Sequence, residues 1–156
     1  MKKLNQPKTK RISNRRARYD YELGDTVLAG IVLSGTETRA LRSGHGQLRG
    51  AYVTIKDNEL WLVNATISGS NGAPITESDQ TRSRKLLASK RQINQLQEAK
   101  RQARTIVPLE ILTGGRYIKV RIAVGKGKKK YDKRHAIKTR DESRHLDAVL
   151  KTQPRR

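Results

Sequence analysis

Short apolar runs separated by turn residues dominate the pattern of this chain, and only two stretches carry helical spacing. The run TVLAGIVLS at 26–34 is β-branched and continuous, which predicts a buried strand. The next stretch, GTETRALRSGHG, predicts a short helix holding Glu37, Ala40 and Leu41, capped by Thr36 and ended by Gly44. AYVTIKDNELWLVNATI alternates on either side of Asp57-Asn58, the signature of a hairpin. Residues 68–83 are polar, with Gly, Pro and Ser, and predict a loop. LLASKRQINQLQEAKRQA at 86–103 predicts the clearest helix, with Ser89 and Gln92 at capping-box spacing. Ile93, Leu96, Ala99 and Ala103 make its apolar stripe. TIVPLEIL predicts a strand in which Pro108 implies an edge or a bulge. After the Gly114-Gly115 turn, RYIKVRIAVG puts Ile118, Val120, Ile122 and Val124 on one side, and Tyr117, Lys119 and Arg121 on the other.

At least five strands and two helices follow, hence a mainly β, α+β fold. Strands this short suggest a small closed or partly open barrel with flanking helices, of which the OB-type barrel is one example, and periodicity alone does not fix that topology. Three regions are expected: a flexible basic arm over 1–13, a barrel domain over 14–125, and a basic tail over 126–156 that orders conditionally. Leu146, Val149 and Leu150 give that tail one apolar edge if it is helical.

Charge sharpens this division. The chain carries 35 Lys and Arg against 14 Asp and Glu, a formal charge of +21. The first 18 residues hold eight basic and no acidic side chains. Residues 126–156 hold twelve basic and four acidic ones. A domain nearer neutrality flanked by basic arms is the layout of a polyphosphate binder. No apolar segment is long enough to span a bilayer and no signal peptide is evident. Cysteine is absent, so no disulfide framework or thiolate metal site is expected. These features predict a cytoplasmic, nucleic-acid-facing protein.

Chemistry adds little beyond binding. His45, His135 and His145 lack metal-ligand spacing. GKGKK lacks the spacing of a phosphate loop. No catalytic set is suggested, and no enzyme, cofactor, metal or small-molecule substrate is expected. Basic side chains neutralise phosphates, and exposed tyrosines stack on unpaired bases. Glu37 reads either as a support for its short helix or as an acceptor for base amino and imino groups. A structural ribosomal protein or another rRNA-binding translation factor would share this composition.

Several segments together resemble the SsrA-binding protein (small protein B) family of bacterial trans-translation. They are NRRARYDY, AGIVLSGTETRALRSG, RSRKLLASKRQI, TIVPLEIL, and GKGKKKYDKR with IKTRD after it, in the family's order. The resemblance implies an OB-like adaptor that binds the tRNA-like domain of transfer-messenger RNA and delivers it to stalled ribosomes. It implies a tRNA-like-domain surface of Arg18, Glu37, Lys85, Leu87, Lys90, Lys119 and Arg121. It also implies a tail in the decoding centre and empty mRNA channel, helical there. The tail residues are Lys126, Lys128, Lys129, Tyr131, Asp132, Lys133, Arg134, Ile137, Lys138 and Arg140, with Tyr131 stacked on a decoding-site base. Elongation factor Tu would engage indirectly, through the charged RNA.

Overall fold

The computed structural model describes residues 11–69, 72 and 74–152, with the side chains of 149–152 excepted. Most of the basic arm expected over 1–13 therefore lies outside the described residues, as do the side chains of Val149 and Leu150. In chain order the elements are β1 (Arg11–Ser13), α1 (Ala17–Asp20), β2 (Tyr21–Ile31), α2 (Gly35–Arg42), β3 (Gly46–Gln47), β4 (Tyr52–Lys56) and β5 (Glu59–Val63). Then follow β6 (Thr66–Ile67), α3 (Glu77–Gln80), β7 (Arg84–Leu87), α4 (Lys90–Arg101), β8 (Thr105–Leu112), β9 (Lys119–Gly127) and α5 (Lys130–Thr152). This is the α+β class expected from the sequence.

A seven-stranded antiparallel sheet runs β1-β8-β4-β5-β7-β2-β9, and β8 also pairs β9. That extra pairing joins β9, at one end of the order, to β8, one strand in from the other end. The core on its inner side contains Leu60, Leu62, Leu86, Ile106, Val120 and Ile122, with Leu41 from α2 and Leu96 from α4. Aliphatic side chains fill it, as the absence of phenylalanine requires.

Local chemistry explains the elements. Asp57 and Asn58 both take positive φ, 50° and 58°, so the β4–β5 hairpin closes on two left-handed residues. Ser89 and Gln92 form the anticipated capping box of α4. For α2 the cap is Ser34, not Thr36. Ser34 Oγ accepts from the Glu37 N–H, and Glu37 accepts from the Ser34 N–H. Pro108 lies at a register shift between β8 and β9, as a residue without an N–H should.

Four further expectations differ from the structure. Residues 11–13 are a strand on β8 rather than part of an arm. Leu86 and Leu87 belong to β7, because β5 and β2 pair with that segment from either side. Ala103 leaves the α4 stripe at φ 56°, past the helix end. Part of the 68–83 loop is the short helix α3. In addition, β9 pairs with β2 through Gly127, two residues beyond Gly125. Gly125 faces Leu23 on one side and Thr105 on the other. A Cβ there would stand 3.1 Å from the Tyr21 Cβ, so close packing accounts for the glycine.

Candidate RNA-binding surface

Strand register gathers four of the expected surface residues. Gly30 of β2 lies between Leu87 of β7 and Lys119 of β9. Two positions along β2, Leu28 faces Arg121. Lys85, two positions from Leu87, faces Trp61. Positions directly paired or two apart share a face of a sheet, so Lys85, Leu87, Lys119 and Arg121 occupy one face with Leu28 and Trp61. Leu28 is 41% exposed and Leu87 53% exposed. These exposed leucines leave an apolar strip bordered by cations. Gly30 keeps it flat, since a Cβ at that position would approach the Leu87 Cβ to 3.3 Å.

The cations are not equally available. Arg121 Nη1 donates to Glu110 Oε1 at 2.5 Å, and Lys85 Nζ pairs with Glu59. Lys119 and Lys90 are exposed, Lys90 at the first position of α4. Arg18 of α1 lines a groove of about 750 Å³ with Arg11, Arg15, Thr26 and Arg121. Nothing local in the sequence marks Arg11 and Arg15, because their convergence depends on β1 adding to β8. The exposure of Leu28 is hidden in the sequence, because it belongs to a continuous apolar run in which outward positions look like inward ones.

Glu37 lies inside this arrangement. It is 1% exposed, and both carboxylate oxygens are occupied. Oε1 accepts from Arg82 Nε at 2.8 Å and Arg84 Nε at 2.9 Å. Oε2 accepts from Arg82 Nη2 at 2.5 Å and the Ser34 N–H at 2.8 Å. A base-reading carboxylate needs free acceptor sites at the surface, and Glu37 has neither. Burial alone would raise its carboxyl pKa. Hydrogen bonds from Arg82 and the Ser34 N–H, together with the charge of Arg84, outweigh burial and hold it below the ordinary value. Arg84, fully buried, also donates to the carbonyls of Ala65, Asp79, Gln80 and Arg82. The cluster thereby ties α2, α3, β7 and the β5–β6 turn together, with half-exposed Arg82 at its rim.

The tail residues divide into two groups. Lys126, Lys129, Tyr131, Arg134, Ile137, Lys138 and Arg140 are exposed, Tyr131 at 66%. Lys128, Asp132 and Lys133 are only partly exposed, and each has an intramolecular bond. Lys128 Nζ donates to the Arg18 carbonyl at 3.0 Å. Asp132 Oδ2 accepts from the Lys129 N–H at 3.1 Å, a cap at the start of α5 that also suits the helix dipole. Lys133 Nζ donates to Asp20 Oδ1 at 2.9 Å. From Ile137 to Ala148 every residue of α5 is exposed. Its 23 residues extend about 35 Å at 1.5 Å each.

Comparison with known sequences decides the family. The SmpB protein family model matches residues 11–152. The chain belongs to the SmpB family. An SsrA-binding protein of Streptococcus thermophilus (strain ATCC BAA-491 / LMD-9) is 41% identical over 140 residues, 89% of this chain and 91% of that one. One from Streptococcus pyogenes serotype M3 (strain ATCC BAA-595 / MGAS315) is 42% identical over 139 residues, 88% and 90% of the two chains. A chain from a solved structure described as "tmRNA-SmpB: a journey to the center of the bacterial ribosome" superposes with a TM-score of 0.64 at 36% identity. That match covers 81% of this chain and 94% of the other. Among the described residues of this SmpB-family chain, no helix is long and apolar enough to cross a membrane.

Proposed function

We propose that this chain is the RNA-binding adaptor of trans-translation. It holds the tRNA-like domain of transfer-messenger RNA and brings it to ribosomes stalled without a stop codon. The observation that carries this reading is the family match across both basic regions, the sheet face and the exposed helix α5.

The outer sheet face binds the tRNA-like domain. Lys119, Lys85, Arg18 and Lys90 neutralise phosphates, while Leu87 with Leu28 offers an apolar contact to unstacked bases or ribose. Arg121 is half neutralised by Glu110 and contributes a directed hydrogen bond more than net charge. Glu37 supports this surface from inside, by fixing α2 and β7, and aims Arg82 outward.

The tail addresses the ribosome. Exposed Lys126, Lys129, Arg134, Lys138 and Arg140 face rRNA in the decoding centre and the empty mRNA channel. Tyr131 stacks on a decoding-site base, and Ile137 contributes an apolar contact beside it. Elongation factor Tu meets the complex through the charged RNA, and the site of action is the cytoplasm. No chemical step is assigned to the protein.

Sequencing the RNA that co-purifies with the protein tests this directly. One discrete RNA with a tRNA-like end, substoichiometric to ribosomes, is the expected result. Stoichiometric recovery with ribosomes and no RNA of its own would mean a structural ribosomal protein instead.

A further inference from the structure

The junction between domain and tail is built as a joint. The strand pairing Tyr21↔Gly127 and Glu22↔Lys126 brings the end of β9 against the start of β2. The Lys128 N–H then donates to the Asp20 carbonyl at 2.9 Å, and Lys128 Nζ to the Arg18 carbonyl. One turn into α5, Lys133 Nζ reaches Asp20 Oδ1. It also lies 5.5 Å from the centre of the Tyr19 ring, a cation–π contact. The other Asp20 oxygen, Oδ2, stands 3.5 Å from Arg16 Nε. The side chains of Asp20 and Lys133 are 30% and 28% exposed, so this pair is better sheltered than the ion pairs along α5.

These contacts use up groups that the family resemblance implies for the ribosome. They also answer a mechanical problem. An otherwise unpacked helix of about 35 Å turns a small angular error at its root into a large displacement at its tip. A joint with backbone bonds alone fixes position. A side-chain bond from the second turn fixes direction.

We propose that residues 16–22 form a socket that sets the direction in which α5 leaves the domain, with Asp20 as its positioning residue and Lys133 as the partner on the helix. Tyr19 covers the pair. Lys128 anchors the root. The functional part of the test rests on the adaptor reading, but the structural part does not.

The chain has no cysteine, so Tyr117→Cys and Leu146→Cys give two unique spin-label sites, one on the β8–β9 turn and one on α5. Distance distributions between them, in protein free of RNA, are compared for the parent, Asp20→Asn, Lys133→Gln and the double variant. Peptide tagging on stalled ribosomes and affinity for the tRNA-like RNA are measured on the unlabelled forms. All three variants are expected to broaden the distribution alike. All three should lower tagging by about tenfold, as the correctly aimed fraction falls. RNA affinity should stay within about twofold, which also shows that the domain is folded. A double variant no worse than either single one marks the two residues as a coupled pair. Losses that multiply, with distances unchanged, would place Lys133 on rRNA independently of Asp20 and overturn the socket. Unchanged tagging in all three would overturn it as well.

Discussion

At the scale of single residues, the Glu37 cluster shows how a carboxylate in a basic protein is held inside the fold by two arginines. Removing it leaves Arg84 buried without its paired carboxylate, although the four carbonyl bonds of Arg84 remain. Breaking a buried pair from one side costs about 3–5 kcal/mol, and those carbonyls argue for the lower end. Glu37→Ala should therefore destabilise the fold by about 3 kcal/mol, read from denaturant midpoints. Binding to the tRNA-like RNA should fall mainly in proportion to the unfolded or loosened fraction. A variant of full stability that lost RNA affinity would instead restore a direct contact. The pH dependence has a definite sign. The folded carboxyl pKa lies below its ordinary value of 4.5. Its contribution to stability is thus complete above that value and is lost as pH falls through the folded pKa. Glu37→Gln should start less stable at neutral pH and lose less on acidification. An acid limb identical to that of the parent would remove Glu37 from the account.

At the scale of elements, legibility followed how local the determinants are. The β4–β5 turn and the α4 capping box rest on neighbouring residues, and both were readable from the sequence. β7 was not, because Leu86-Leu87 abuts a helical pattern and becomes a strand only through β5 and β2. β1 is three residues long and exists because β8 offers an edge. The same distinction applies to the candidate surface. Lys119 and Arg121 were visible as the polar side of an alternating strand. The interior position of Glu37 depends on Arg84, 47 residues away, and no local pattern announces it. α5 is the opposite case, an element with local preference and little tertiary support. An isolated helix of this kind is marginal in water even at this length. Hydrogen exchange should show amides of 137–148 exchanging much faster in free protein than the strongly protected amides of β2 and β9. Protection should appear in α5 when the protein is on the ribosome. Strong protection of α5 in the free protein would count against ordering by the channel.

At the scale of the whole molecule, the question is whether the two basic regions act separately. Residues 130–156 hold nine basic and four acidic side chains, so deleting them lowers the net charge by five. Exposed charges beyond a Debye length, about 8 Å at physiological salt, are largely screened. If the sheet face alone holds the tRNA-like RNA, the truncated protein should bind it within about threefold of the full chain at that salt. The dependence of affinity on salt is the sharper measure. Its logarithmic slope counts phosphates neutralised, so it should be the same with and without the tail. Tagging on stalled ribosomes should be abolished, because the helix that the adaptor reading puts in the channel is gone. A slope that falls by several units on truncation would mean that the tail binds the same RNA as the sheet face. The second region would then be an electrostatic anchor, and the socket at Asp20 would be aiming a helix at transfer-messenger RNA rather than at the ribosome. Comparing the slope for Asp20→Asn separates these cases in full-length protein: an unchanged slope with lost tagging requires two heads joined by a fixed angle.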